Sequence, residues 1–288
     1  MNSDRILRFF VGFYLVAFFA YLFLPLGFMV VAAFNASRIP MVTPWRGFTY
    51  DWFGELMRDH ILWHSVRNSG IIGLGVIALS IPLGLAGALL VMRLRARTRT
   101  FVYSVLLSPV LTPGVILGIS TLVFWVQWNV TGGLLLTVIA QSTFIASYCM
   151  LIFMARLQRF DPMLEEAALD LGASHQQVFW KITLPFLQPA ILSAAVIAFL
   201  QSFENYNTTM FTIGGDTTLT VRVASMVRLG LTPEVNALAV LFIVITVAFA
   251  ILYEVKRRAG KAREEVRKEL ARRADQKITA EGVAVAPA

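Results

Sequence analysis

The sequence predicts an all-α polytopic membrane protein with six transmembrane helices, and three observations predict it. Hydrophobic residues make up 57% of the 288 residues and charged residues only 15%, far from a soluble globular mixture. Six apolar runs, at 9–34, 65–92, 101–127, 133–155, 190–213 and 236–255, each reach the roughly 20 residues that cross a bilayer as a helix. In hydrocarbon a single segment closes its own backbone hydrogen bonds only as a helix.

The first run follows Arg5 and Arg8 and ends near Ala32 and Ala33. It is far longer than the apolar core of a cleavable signal peptide, so it reads as a retained anchor. An external stretch at 35–64, rich in Pro, Trp and Tyr, separates it from the rest. The expected organisation is 1–64 as an N-terminal helix and external loop, 65–254 as the transmembrane domain, and 255–288 as a basic tail. Within that tail, 256–277 alternates Lys and Arg with Glu as a solvated helical extension does, and 278–288 is expected to be disordered.

Small residues mark close helix approach: Ser80, Gly84 and Ala88 on the second run, Gly114 and Gly118 on the third. Tight packing is the expected role of the Ser80 stripe. Pro82, Pro109 and Pro113 are expected to kink their helices, which suits a cavity wall. The fourth run holds Gln141, Ser142, Thr143, Ser147 and Tyr148; hydroxyls there are expected to bond their own backbone. Cys149 is the one cysteine and forms no internal disulfide.

The fifth run contains Gln201 to Thr209, too polar to face lipid. Polar groups inside spans default to functional candidates, which makes Glu204, Asn205, Tyr206 and Asn207 the candidate substrate pathway. On one reading the Glu204 carboxylate attracts a cation and Tyr206 supplies an aromatic wall. On the other, the helix breaks near Phe203 and Glu204 faces an aqueous vestibule or an arginine. Both readings stand.

Orientation follows from the basic residues. Arg5, Arg8, Arg93, Arg95, Arg97, Arg99, Arg156, Arg159, Lys181 and the basic tail fall on one side. Only Arg38, Arg46, Arg58, Arg67, Arg222 and Arg228 fall on the other. The positive-inside rule places both termini in the cytoplasm. The net charge of +8 then reflects topology and anionic headgroups, and no nucleic-acid partner is expected.

Between the fourth and fifth runs lies a polar island. Leu164, Ala167, Ala168 and Leu171 recur at helical spacing, with Glu165 and Glu166 in the first turn, where the helix dipole favours negative charge. Gly172 stands where a left-handed C-cap residue belongs. Ser174 with Gln177 forms a capping-box pair, Pro185 is expected to stop the second helix, and Pro189 to open the next span.

The pattern Glu166-Ala167-Ala168-x3-Gly172-x9-Ile182-x-Leu184-Pro185 resembles the "EAA" loop of permease subunits in type I ATP-binding-cassette (ABC) importers, and every signature position matches. The resemblance implies a cytoplasmic coupling-helix loop between helices 4 and 5. In that loop Glu166 makes a polar contact with an ATPase groove, Gly172 makes the turn, and Ala167, Ala168, Ile182, Leu184 and Pro185 complete the motif. It also implies a bacterial inner (cytoplasmic) membrane location and three kinds of partner: a cytoplasmic ABC ATPase dimer, a second permease subunit in a heterodimer, and a periplasmic or external solute-binding protein.

Within that family the chain is most similar to spermidine/putrescine (polyamine) permeases. Trp45, Gly47, Phe48, Trp52 and Phe53, then Ser65, Asn68 and Ser69, and the stretch from Thr217 through Arg222, Arg228 and Pro233 to Ala237 carry the similarity. Such permeases often bear an acidic pair where this chain has Glu204-Asn205, and related permeases serve ferric iron, phosphonates and opine-like compounds. The implied cargo is a polyamine or related small organic cation.

No Gly-x4-Gly-Lys-Ser/Thr loop is present, so ATP and Mg belong to a partner and this chain needs no cofactor of its own. His60 and His64 have helical metal-ligand spacing, but no motif or cysteine completes a site. No nucleophile–base pair points to an enzyme. The rival reading is a secondary transporter or channel without an ATPase partner, which leaves the island unexplained.

Overall fold

The computed structural model describes the backbone of residues 3–230 and 232–284, and the side chains of 7–230 and 232–258. Helices make up all of its regular structure among the described residues. In chain order they are α1 (Ser3–Ala33), α2 (Asp51–Arg58), α3 (His60–Arg93), α4 (Ala96–Leu111), α5 (Gly114–Val126) and α6 (Leu134–Leu157). There follow α7 (Met163–Asp170), α8 (His175–Val178), α9 (Leu184–Phe203), α10 (Thr209–Thr212), α11 (Leu219–Leu229) and α12 (Pro233–Ala284).

Among the described residues five helices are long and apolar enough to cross a membrane: Leu7–Ala33, His60–Arg93, Leu134–Leu157, His175–Phe203 and Pro233–Arg258. The sixth expected helix, 101–127, is instead the pair α4 and α5, bent by 100°. Pro113 is the cause. It lacks an N–H, and it pushes Thr112 into an extended conformation (φ −87°, ψ 130°) that ends the helix. Pro109 and Pro82, by contrast, lie inside their helices.

Pro185 does not stop a helix, and Pro189 does not open one. A π-helical turn at Phe179–Thr183 joins α8 to α9, and its wider bonding reaches from the Leu184 N–H back to the Phe179 carbonyl. That insertion places Pro185 in the first turn of α9, where a missing N–H costs nothing. The fifth membrane helix is therefore displaced from the expected 190–213: it runs from His175 and ends at Phe203.

By internal packing the chain forms two units, Met57–Gly230 and Met1–Leu56 with Leu231–Ala288. In the first, α3, α6 and α9 pack around Ile72, Val76, Ala88, Ile145, Phe153, Leu187 and Ala194, all buried. Ser80, Gly84 and Ala88 lie on the buried face of α3. A Cβ at Gly84 would sit 2.6 Å from Cys149 Cβ and 2.7 Å from the Ala146 carbonyl oxygen, so the backbones of α3 and α6 approach as closely as glycine permits.

In the other unit, Asn35 organises the loop after α1. Its side-chain Nδ2 donates to the Met41 and Pro44 carbonyls (2.8 and 3.1 Å), and its Oδ1 accepts from the Arg46 N–H (2.9 Å). Trp52 Nε1 donates to the Asn35 carbonyl at 2.8 Å, and Phe34 stacks on Phe48 at 5.3 Å. Helix α12 continues through Ala284, past residue 278 where disorder was expected; residues 285–288 lie outside the described residues.

Candidate functional site

The island folds as helix, turn, helix. Helix α7 has Glu165 and Glu166 in its first turn. It ends in a paired cap: the Gly172 N–H donates to the Leu169 carbonyl (2.9 Å) and the Ala173 N–H to the Ala168 carbonyl (3.0 Å). Gly172 adopts φ +87° with nothing within 4 Å of a Cβ there. Backbone conformation, not space, demands glycine. Ser174 and Gln177 then form both halves of a capping box on α8.

The two glutamates are used differently. Thr183 Oγ1, buried in the π turn, donates to Glu165 Oε1 at 2.7 Å, which ties α7 to the start of α9. Glu166 is exposed, and its carboxylate has no hydrogen bond or ion pair among the described residues. Arg156 secures the same joint from α6. Its Nε donates to the Phe186 carbonyl at 3.2 Å, and its guanidinium lies 4.1 Å over the Phe186 ring. Leu184 and Pro185 build this joint, and Ile182 lines a cavity of about 360 Å³ together with Ala168, Leu171 and Val178. Ala167 is exposed beside Glu166. Around them Met163, Leu164, Leu171 (90% exposed) and Trp180 (59%) present large apolar surfaces.

At the other end of α9 the helix stops at Phe203 and a polar turn follows. Asn205 is its organiser: Oδ1 accepts the N–H groups of Thr208 and Thr209 (3.1 and 3.3 Å), which start α10. The Asn205 carbonyl accepts from Thr209 Oγ1 (2.7 Å) and Thr220 Oγ1 (3.1 Å). Beneath the turn, Gln141 (1% exposed) bridges α9 and α10. Ser202 Oγ donates to Gln141 Oε1 at 2.5 Å, and Gln141 Nε2 donates to Thr209 Oγ1 at 2.8 Å. Thr208 Oγ1 reaches the Gly114 carbonyl at 3.2 Å. A Cβ at Gly118 would meet the Thr208 carbonyl oxygen at 2.9 Å. The Gly114–Gly118 stripe thus receives the polar turn.

Of the four pathway candidates, Glu204 and Asn207 are exposed, and Asn205 and Tyr206 half-buried. The helix does break at Phe203, and no arginine pairs with Glu204 among the described residues. Tyr206 Oη donates to Met210 Sδ (2.8 Å), and the Arg228 guanidinium lies 5.9 Å from its ring. Asn205 also holds the turn together through its side chain. The hydroxyls of the fourth run are expected to bond their own backbone; Thr143 does so, but Ser147 Oγ donates across to the Leu106 carbonyl (2.6 Å).

Helix α11 is fastened to α3. The Leu219 N–H donates to Ser69 Oγ (2.9 Å), Asn68 Nδ2 donates to Asp216 Oδ1 and the Thr217 carbonyl (both 3.0 Å), and Arg222 pairs with Asp59 at 3.0 Å. Burial pushes the Asp59 carboxyl up. The Leu62 N–H, the Arg222 guanidinium and the Ile61 N–H together outweigh it, and its pKa falls below the ordinary carboxylate value. No sequence signal marked Thr183 or Asp59 in advance.

Membrane helices interrupted around a polar turn, with an exposed helical island at the far end of the same helix, are the build of a transport component. Residues 80–259 match the family described as "Binding-protein-dependent transport system inner membrane component", and the chain belongs to it: it is a permease of the ABC importer class, not an enzyme. The putrescine transport system permease protein PotI of Escherichia coli (strain K12) is 36% identical over 78% of this chain and 82% of its own length. The spermidine/putrescine transport system permease protein PotC of the same strain is 31% identical over 86% and 92%. Two solved structures share the fold. A bacterial ABC transporter involved in the import of alginate has a TM-score of 0.64 at 15% identity, covering 90% of this chain and 98% of that chain. The MetNI methionine ABC transporter has a TM-score of 0.52 at 19% identity, covering 70% and 94%.

The scaffold role of Asn205 predicts that Asn205→Ala lowers the stability of the purified chain by about 1 kcal/mol, the usual effect of losing a helix cap. Asn205→Asp, which keeps the acceptor, is expected to stay near wild type. Thermal unfolding in detergent, followed by circular dichroism, checks the pair.

Proposed function

We propose that this chain is one of two membrane subunits, paired with a different permease, in an ATP-driven importer of polyamines or related small organic cations. Its island docks on a cytoplasmic ATPase dimer that holds ATP and Mg, and an external solute-binding protein delivers the cargo. Both termini lie in the cytoplasm, and 65–254 is the transporting domain. The observation that carries the docking reading is the full motif from Glu166 to Pro185. It folds as an exposed α7 with a left-handed Gly172 turn, and among the described residues the Glu166 carboxylate has no partner and Met163, Leu164 and Leu171 are exposed.

The cargo reading is supported by the similarity to PotI, a putrescine transport permease, and PotC, a spermidine/putrescine transport permease. It is further supported by an exposed Glu204 carboxylate that has no internal partner among the described residues. In the proposed cycle ATP closes the ATPase dimer, and the island carries the movement to α9 through Thr183 and the π turn. The two subunits then rock between inward- and outward-open states.

Glu166→Ala and Gly172→Val are expected to insert normally and to abolish the coupling of uptake to ATP hydrolysis in proteoliposomes holding the full transporter. Wild-type uptake by both variants removes the docking reading and returns a channel or secondary transporter to contention. Glu204→Gln is expected to lower putrescine uptake about tenfold, the effect of roughly 1.4 kcal/mol, with assembly unchanged. Unaltered uptake kinetics leave Glu204 with no part in recognising the cation.

A further inference from the structure

Between α4 and α6 lies a cavity of about 360 Å³. Leu151, Met154 and Ala155 give it an apolar lining, and Arg99, Thr100, Tyr103 and Gln158 a polar one. It lies beside helix ends: Arg99 is in the first turn of α4, which begins at Ala96, and Gln158 directly follows α6, which ends at Leu157, and helix ends with basic residues are where headgroups are expected.

Arg99 is the anomaly. It is half-buried, yet its guanidinium touches only Met92 Sδ, at 3.7 Å, and no carboxylate pairs with it among the described residues. The charges nearest in sequence, Arg93, Arg95 and Arg97, have the same sign and are exposed. No acidic residue lines the cavity. A guanidinium offers five donors in a planar fork. Half-buried at the cavity and without an anionic partner among the described residues, it leaves donors open to an external anion, and phosphate fits the fork. The apolar lining calls for hydrocarbon beside that phosphate. A single ligand class carries both groups at this depth in a bilayer.

We propose that this cavity is a binding site for an anionic phospholipid. The headgroup phosphate sits on Arg99, Tyr103 and Gln158 supply neutral donors, and an acyl chain lies along Leu151, Met154 and Ala155. Basic pockets between helix ends are suited to anionic headgroups, and a basic group in direct contact with the headgroup contributes about fivefold in affinity, an exposed one outside the pocket much less. The occupied site joins the start of the bent α4–α5 pair to the end of α6 and neutralises Arg99. It requires only the bilayer and is independent of docking by an ATPase.

The test is lipid titration of the purified full chain in mild detergent, read by native mass spectrometry. Phosphatidylglycerol and phosphatidylcholine with the same acyl chains are compared. Wild type is expected to prefer phosphatidylglycerol. Arg99→Gln is expected to lose that preference by about fivefold or more, while Arg99→Lys keeps most of it. Arg95→Gln, which removes an exposed charge outside the cavity, is expected to stay within about twofold. Ala155→Phe, which fills the apolar part, is expected to weaken both lipids, and it carries the test if Arg99→Gln does not elute as a single species. Unchanged phosphatidylglycerol binding in Arg99→Gln overturns the site. An equal loss in Arg95→Gln reduces it to diffuse attraction, and full displacement by millimolar inorganic phosphate identifies a free-anion site instead of a lipid site.

Discussion

No backbone polar group can be left unpaired in hydrocarbon, and this chain breaks two of its membrane helices. That constraint organises the transmembrane unit. The α4–α5 bend and the turn between α9 and α10 each release backbone groups, and the structure brings the two breaks together. Thr208 donates to the Gly114 carbonyl, and the Gly133 N–H donates to the Thr212 carbonyl at 2.8 Å. Gln141 closes the arrangement from α6 by serving Ser202 and Thr209 at once. A buried amide whose donor and acceptor are both used specifies one packing. An apolar residue there would leave Ser202 and Thr209 without those partners.

The same helix carries both candidate segments. Helix α9 has 20 residues, about 30 Å of rigid rod. At one end the π turn, the Thr183–Glu165 bond and the Arg156–Phe186 contacts bind it to the island. At the other, Ser202 and Gln141 lock it to the polar turn that exposes Glu204. A displacement of α7 in the proposed cycle reaches the candidate pathway through the Thr183–Glu165 bond and then along α9. Of the two prolines near its start, Pro185 is accommodated in the first turn after the π turn, and Pro189 lies inside the helix. Gly84 then holds α3 close against α6, the helix that carries Gln141.

Much of this was legible in residue patterns because single residues dictate it locally. Gly172 ends α7 in the left-handed region, Ser174 and Gln177 cap α8, and Ser80, Gly84 and Ala88 face inward, each for a reason confined to one helix. Pro185 misled because a proline's effect depends on the turn before it, and a π insertion leaves no mark in composition. The break at Phe203 was one of two open readings, and hydropathy alone ran the span on to 213. Asn205 looked like a pathway residue because its type is polar. Only the fold places it under the amides of Thr208 and Thr209. Glu165 and Thr183 lie 18 residues apart and are joined by the turn itself, which no periodicity encodes.

The most direct test of the account is photo-crosslinking from the island. A benzoylphenylalanine at position 171, on an exposed apolar residue beside Gly172, is compared with one at position 13, exposed on α1, in membranes carrying the intact transporter. The account predicts that irradiation joins the chain to the ATPase from position 171 and not from position 13, with a yield that changes when ATP is added. Adducts to lipid alone from position 171, in membranes that import cargo at the normal rate, would contradict it.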